Sequence, residues 1–158
     1  MAVHQEFLLQ RVQPAMVGLI DGSLSTLAPI FSIAIVSHNT FYAFIGGLAT
    51  SIGAGISMAF SEGLSDTGEF TGRGSPMIRG GITGVGTFVG GILHSLPFLI
   101  PSYHAALVTA FVVVALELIA LAALRARFFS TSFSTSLAAV SLAGAVIVAV
   151  SVLLGATA

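Results

Sequence analysis

The chain consists of apolar stretches of about twenty residues that are separated by short polar segments. In the first of them, from Ala15 to Val36, the only charged side chain is Asp21. An α-helix rises about 1.5 Å per residue, so a stretch of this length crosses the roughly 30 Å hydrocarbon core of a bilayer. The composition agrees, because 56% of the residues are hydrophobic and 7% are charged, whereas soluble domains average about 25% charged residues. We therefore predict an integral membrane protein that crosses the bilayer several times.

The predicted fold is all-α, with five transmembrane helices in a single domain over residues 1–158. Turn and cap residues mark the boundaries: Pro14 suits the first turn of a helix, and Ser75-Pro76 suits the start of another. The predicted helices cover residues 15–36, 41–66, 77–100, 104–124 and 135–154. Residues 1–13 mix charged and apolar side chains, which fits either a short interfacial helix or a frayed polar terminus.

The basic residues predict the orientation of these helices. All five are arginines, and all lie on the side of the predicted bundle that holds the N-terminus: Arg11, Arg73, Arg79, Arg125 and Arg127. Because cytoplasmic segments retain Lys and Arg, we expect the N-terminus in the cytoplasm and the C-terminus outside it. The carboxylates at the end of the second helix then face the cytoplasm.

Those carboxylates form a stripe with the pattern of a metal path. Met58, Glu62, Asp66 and Glu69 are spaced four, four and three residues apart, which places them on one helix face if the helix continues as far as Glu69. A soft thioether followed by hard oxygen donors suits Fe²⁺ or Mn²⁺ better than Mg²⁺ or Ca²⁺, which prefer oxygen alone. The alternatives are that Met58 only packs against neighbours and that the last two carboxylates are a solvated helix end.

Asp21 is predicted to complete this path within the membrane. It lies about two turns inside the first helix, at roughly the depth of Met58 in the antiparallel second helix. An ionisable residue inside a membrane is costly and is functional by default. The alternative is structural, because Gly22 and Pro29 weaken the first helix and Asp21 would then cap a break in it.

Glu117 is the second carboxylate predicted inside an apolar helix. Such a group suits a proton relay, and it suits a neutral hydrogen bond between helices equally well. Three histidines are predicted near the outer side: His38, His94 and His104. We interpret them as interfacial residues, with an imidazole exit site for metal as the alternative.

The glycines predict close helix packing. Gly18 and Gly22 in the first helix, and Gly86 and Gly90 in the third, follow the spacing that lets helix backbones approach each other. Five thin helices hardly enclose a polar path alone, so we expect a symmetric homodimer in the lipid bilayer.

Several function classes are disfavoured by what the sequence lacks. There is no cysteine, no zinc motif, no serine elbow and no pair of histidines on one helix, so we do not expect an enzyme or a prosthetic group. The absence of basic blocks argues against nucleic-acid binding.

Two segments carry a family resemblance. The segment from Gly18 to Thr26 (GLIDGSLST) resembles the Asp-Gly-x-x-Ser-Thr signature in the first helix of the vacuolar iron transporter family. The segment from Ser57 to Ser65 (SMAFSEGLS) is similar to the pattern of that family's second helix. The resemblance implies a dimeric transporter that moves Fe²⁺, and often Mn²⁺, out of the cytoplasm in exchange for protons. It also implies that Asp21 and Met58 line the path and that Glu62 guards its cytoplasmic mouth.

The connection after the second helix departs from the plant and fungal members, which have a long insert there that is rich in Glu and Met. The stretch from Glu62 to Pro76 is more similar to the transporter half of bacterial membrane-bound ferritins, which implies a bacterial cytoplasmic membrane and a ferritin-like domain or partner. No Glu-x-x-His occurs in residues 1–13. Either a reduced acidic set captures the metal, or the chain is the membrane part of a longer protein. The reduced set is Glu62, Asp66, Glu69 and Glu6.

We therefore expect an exporter of Fe²⁺ or Mn²⁺ in which carboxylates release protons when metal binds and protons from the far side displace the metal. Two alternatives remain open. A membrane oligomerisation subunit without transport activity would need neither Asp21 nor Glu117. A carrier for a small organic cation would use the carboxylates but would not need Met58.

Overall fold

The computed structural model describes residues 2–156, with side chains from residue 5 to residue 155, and over that range it contains helices and no strand. The elements are listed here in chain order. They are α1 (Ala2–Phe7), a π-helical turn (Leu8–Val12), α2 (Gln13–Ser25), α3 (Leu27–Ser37), α4 (Thr40–Ser65), α5 (Pro76–Leu93), a 3₁₀ turn (Leu96–Leu99), α6 (Tyr103–Phe129) and α7 (Phe133–Ala156).

Four helical stretches are long and apolar enough to cross a membrane: Gln5–Ser37, Thr40–Ser65, Tyr103–Phe129 and Phe133–Gly155. The all-α fold predicted from the sequence is therefore confirmed for the described residues, and these four stretches suggest a multi-pass membrane protein. Large apolar side chains such as Phe41, Leu116 and Leu142 point outward, which suits contact with lipid. The helix α5 is as long as a membrane span but less apolar, because glycines and Arg79 replace large apolar residues.

The first predicted helix differs from the observed one in two ways. The chain is helical from Ala2 onward, through the π-helical turn and into α2, so the helix begins well before residue 15. It is also interrupted at Thr26, which separates α2 from α3. Pro29 follows in the first turn of α3, where a missing N–H is tolerated. Its ring prevents a regular continuation across the junction.

Three other helices differ from the prediction at their ends. The third helix ends at Leu93 instead of residue 100, and a 3₁₀ turn that contains Pro97 takes its place. The fourth helix continues to Phe129 instead of 124, so both terminal arginines are helical. The fifth begins at Phe133 and continues to Ala156. By contrast, α4 agrees with the prediction within one residue at each end, and Asn39 caps it by accepting a hydrogen bond from the Tyr42 N–H at 3.2 Å.

The helix α5 lies between α2 and α4 with backbone contact on both sides. A Cβ atom added to Gly90 would lie 2.5 Å from the carbonyl oxygen of Leu19, and one added to Gly84 would lie 2.7 Å from that of Gly55. Residues later in α5 contact residues later in α2 but residues earlier in α4. The helix α5 is therefore parallel to α2 and antiparallel to α4. Gly18, Gly22 and Gly86 lie in the same interface with α2.

The remaining helices pack around an apolar core at the other end of the bundle. Its buried residues come from α3, α4, the 3₁₀ turn and α6: Leu27, Ile30, Phe31, Ala34, Ala43, Phe98, Ala106, Ala110 and Val114. Phe31 stacks on Phe111 with a centroid separation of 4.8 Å. The helix α7 packs against α3 and α6 and contains no charged residue. From α2 onward, the charged side chains of the helices therefore lie in α2, α4, α5 and α6, and not in α3 or α7.

Candidate functional site

The first polar site lies where α4 ends and α5 begins, and it consists of Glu62, Asp66, Arg73 and Arg79; we call it the arginine–carboxylate cluster. The loop between the two helices reverses direction through three glycines with positive φ: Gly68, Gly72 and Gly74. Glycine tolerates this left-handed backbone at little cost. The reversal returns Arg73 and Arg79 to the carboxylates of α4.

Each carboxylate of the cluster contacts both arginines. Oε1 of Glu62 accepts hydrogen bonds from Nη2 of Arg73 at 2.7 Å and from Nε of Arg79 at 3.0 Å. Oδ2 of Asp66 lies 3.1 Å from Nη1 of Arg73 and 3.2 Å from Nη2 of Arg79. The side chain of Arg79 is only 1% exposed, whereas that of Arg73 is 21% exposed. Two guanidinium groups balance two carboxylates, so the cluster has no formal net charge. Arg79 lies inside the bundle, and Arg73 lies at its surface.

Asp66 is held in its ionised form. Partial burial raises the pKa of Asp66, but hydrogen bonds from Thr71 and from the Gly68 N–H, together with the charges of Arg79 and Arg73, lower it below its ordinary value. The carboxylate also ends α4, where a negative charge opposes the helix dipole. The two guanidinium groups provide the compensation that such a position requires.

The predicted metal stripe is therefore divided in this structure. Glu62 and Asp66 are paired with arginines, and Met58 is half-buried on α4. Glu69 is exposed and forms no hydrogen bond or ion pair with any described side chain. Within residues 2–156, no group of three or more His, Asp or Glu side chains is arranged to hold a metal ion. The metal path therefore stays a prediction.

Asp21 lies in α2, four residues after Val17 and five before the helix interruption at Thr26. Its side chain is half-buried, and none of the described residues forms a hydrogen bond or an ion pair with it. The charged residues Glu62 and Arg79 are paired elsewhere. Asp21 is therefore a carboxylate within a candidate membrane span that has no polar partner among the residues with described side chains.

The second polar site is buried between α2, the end of α5 and α6, and it consists of Ser23, Thr26, His94 and Glu117; we call it the buried histidine network. Nδ1 of His94 lies 3.0 Å from Oε2 of Glu117, and the other carboxylate oxygen lies 2.7 Å from Oγ of Ser23. Nε2 of His94 contacts Oγ1 of Thr26. His94 is fully buried, and the side chain of Glu117 is 10% exposed.

The interfacial interpretation of His94 was wrong. The shorter α5 ends inside the bundle, so its C-cap residue His94 lies beside the middle of α6 and not at the outer surface. Ser23 and Thr26 were not predicted as functional residues. A carboxylate in the middle of an apolar helix requires a polar partner, and a search for one among the histidines would have favoured His94. By contrast, His38 and His104 are exposed and lie beside Tyr103.

Comparisons with protein-family models, with curated proteins and with solved structures found no match for this chain.

Proposed function

We propose that this protein is a membrane transporter that moves Fe²⁺ or Mn²⁺ out of the cytoplasm in exchange for protons. The observation that carries the proposal is Asp21, which is half-buried in a candidate membrane span and has no polar partner between residues 5 and 155. A carboxylate in this position costs free energy unless a cation or a proton joins it. A cation that passes through the bundle would supply the missing charge.

The arginine–carboxylate cluster is the proposed entry point. Glu62 follows Met58 by one helical turn, so a metal ion released from Glu62 has a thioether as its next ligand. The ion must first compete with guanidinium groups for the carboxylate oxygens. Arg73 is the more exposed arginine, so the exchange of this side chain for a metal ion needs the smaller rearrangement. The two arginines would keep the mouth neutral until metal arrives.

The choice of metal rests on the donor types and on the resemblance of the first two predicted helices to the vacuolar iron transporter family. A carboxylate and a thioether suit a first-row divalent ion better than Mg²⁺ or Ca²⁺. We further propose five crossings with a cytoplasmic N-terminus, a homodimer, and a bacterial cytoplasmic membrane. The alternating directions of α2, α4 and α5 are compatible with α5 as the additional crossing.

The glycine contacts around α5 also suit a membrane subunit that only holds an assembly together. Such a subunit gains nothing from Asp21, whose charge lowers the stability of the span that contains it. A carrier for an organic cation would use Asp21 but not Met58. These two alternatives are separated from metal transport by substitutions at the two positions.

The test is metal uptake into sealed proteoliposomes, with Fe²⁺ under reducing conditions or with Mn²⁺, in the presence and absence of an opposing proton gradient. The parent protein should show gradient-dependent uptake, Asp21→Asn should abolish it, and Met58→Leu should reduce it at least tenfold. Thermal unfolding in detergent controls for folding. Uptake by Asp21→Asn at the parent rate, or no uptake by the folded parent protein, would overturn the proposal.

A further inference from the structure

A surface cleft of about 280 Å³ lies between α2 and the C-terminal end of α6. Most of its lining residues come from these two helices, and they include Gln13, Met16, Val17, Ile20, Arg125 and Phe129. Four other clefts on the surface have no charged residue in their lining. The cleft between α2 and α6 differs from them because it combines an arginine with apolar walls.

The guanidinium of Arg125 has no partner of opposite charge in the described chain. The residue is half-buried, and its side chain forms no hydrogen bond or ion pair with the described residues. By contrast, Arg73 and Arg79 each pair with two carboxylates. No Asp or Glu lines the cleft. Its positive charge is therefore unbalanced, and the five N–H donors of the guanidinium remain free for an oxygen-rich anion.

Gln13 adds a second donor to the same cleft. Its Oε1 is buried without a hydrogen-bond partner among the described residues, so the amide nitrogen is the accessible end of the side chain. An amide nitrogen only donates. The hydroxyl of Thr131 is already engaged, because its Oγ1 lies 2.9 Å from Oγ of Ser136 and 3.4 Å from the carbonyl oxygen of Arg125. The free polar groups of the cleft are therefore donors, which favours an anionic ligand.

The apolar walls of the cleft extend along the membrane-spanning part of α2. Val17 and Ile20 follow Gln13 by about one and two helical turns. Val17 and Phe129 expose 39% and 38% of their surfaces. Arg125 lies near the end of the candidate span Tyr103–Phe129, which is the level of lipid headgroups. The cleft therefore offers donors at headgroup level and an apolar strip next to them, which suits a ligand with an anionic head and a hydrocarbon chain.

We propose that this cleft binds an anionic phospholipid, with the phosphate group on Arg125 and Gln13 and an acyl chain along Val17 and Ile20. Basic pockets between membrane helices are typical sites for anionic lipid headgroups. A free phosphate ion would use the donors but not the apolar strip. The bound lipid links α2 to α6 through its phosphate group. This proposal does not depend on metal transport.

The test is native mass spectrometry of the full chain in detergent, titrated with phosphatidylglycerol or with phosphatidylcholine, whose headgroup has no net charge. The parent protein should bind phosphatidylglycerol saturably, with a preference of about tenfold or more, because hydrogen bonds to a charged group contribute this much. Inorganic phosphate at the same concentration should not displace the lipid. Equal binding of the two lipids would overturn the proposal. Displacement by inorganic phosphate would show a site for a free anion and would also overturn it.

Two arginine variants separate a defined site from general attraction between charges. Arg125→Gln removes the guanidinium from the cleft, so the preference for phosphatidylglycerol should fall by about tenfold or more. The matched control Arg127→Gln removes the same charge from the end of the same helix, but Arg127 is exposed and does not line the cleft. This control should keep the preference of the parent protein. Equal losses in the two variants would show diffuse attraction to the end of α6 and would refute the site.

A further variant covers the case in which Arg125→Gln does not fold. Gln13→Glu places a carboxylate in the same cleft as Arg125, where it occupies the guanidinium and repels a phosphate group. The preference for phosphatidylglycerol should be lost, while the thermal unfolding midpoint in detergent is kept or raised. A retained preference would contradict the proposal. A second copy of the chain is the other possible occupant: if Arg125→Gln changes the dimer population in light scattering and leaves lipid binding unchanged, the cleft is a protein interface and the lipid site is refuted.

Discussion

Nε of Arg79 lies 3.0 Å from Oε1 of Glu62, and this contact joins the beginning of α5 to the end of α4 inside the bundle. The same carboxylate oxygen accepts a hydrogen bond from Nη2 of Arg73 at 2.7 Å. A buried guanidinium is tolerated only when its donors are paired. Arg73 and Arg79 therefore hold the short loop between α4 and α5 in place, because both pair with Glu62 at the end of α4.

Loss of Arg79 should destabilise the protein strongly. Arg79→Gln leaves Glu62 and Asp66 with only the more exposed Arg73, and the loss of one partner from a buried ion pair costs about 3–5 kcal/mol. Thermal unfolding in detergent should show the loss as a lower midpoint. The matched control is Arg127→Gln, because Arg127 is exposed and forms no ion pair with a described residue, although its guanidinium lies 5.8 Å from the ring centroid of Phe128. Equal midpoints for the two variants would contradict the structural role of Arg79.

Acid should weaken the arginine–carboxylate cluster. The folded-state pKa of Asp66 lies below its ordinary value of about 4. The contribution of Asp66 to stability is therefore fully present above the ordinary value and is lost as the pH falls through the lower, folded-state value. The thermal unfolding midpoint of the parent protein should therefore decrease as the pH is lowered through this range. Asp66→Asn should be less stable than the parent at neutral pH, and the difference should shrink with acid; a constant difference would refute the assignment.

Removal of Arg73 should expose the carboxylates to metal. Arg73→Gln leaves Glu62 and Asp66 with one arginine instead of two, so Mn²⁺ loses one competitor for their oxygens. We expect a gain in Mn²⁺ affinity of about two- to fivefold, because ion pairs near the surface contribute up to about 1 kcal/mol. Titration calorimetry or Mn²⁺ paramagnetic resonance in detergent measures it. Arg125→Gln is the control, since Arg125 forms no ion pair in the described chain. Unchanged affinity in Arg73→Gln would remove these carboxylates from the proposed metal path.

Two glycines of α5 should respond in opposite ways to alanine. A Cβ at Gly84 would meet the backbone of α4, and overpacking of this kind costs about 1–3 kcal/mol. A Cβ at Gly81 meets nothing within 4 Å, and alanine favours the helix over glycine by up to about 1 kcal/mol. Gly84→Ala should therefore lower the unfolding midpoint, while Gly81→Ala should keep or raise it. The reverse order would show that α5 packs differently from this structure.

The membrane-spanning helices could be predicted from the sequence because length and apolar character decide them. The N-terminus of α4 was also predictable, since Asn39 carries the side chain that caps it. The length of α5 was not. The apolar pattern continues beyond Leu93, yet the helix ends there, and the side chain of its C-cap residue His94 contacts Thr26.

The polar sites were predicted less completely than the helices. Three acidic residues and one methionine at helical spacing fit a metal stripe. The same spacing also allows the acidic residues to pair with arginines from the loop and helix that follow. The direction of that return depends on three glycines with positive φ. Spacing within one helix does not report which side chains arrive from another. Glu117 was identified as a buried carboxylate, whereas its partner His94 became apparent only from the packing of α5 against α6.

The glycine-lined faces of α5 have a consequence for the biosynthesis of the protein. A helix leaves the protein-conducting channel for lipid according to its own hydrophobicity, and α5 is the long helix in the described chain that is least equipped for this step. The glycines of α5 pack against the backbones of α2 and α4, and both of these helices are synthesised before α5. We therefore expect α5 to enter the bilayer as a hairpin with α4, so that early partners, more than lipid, retain it.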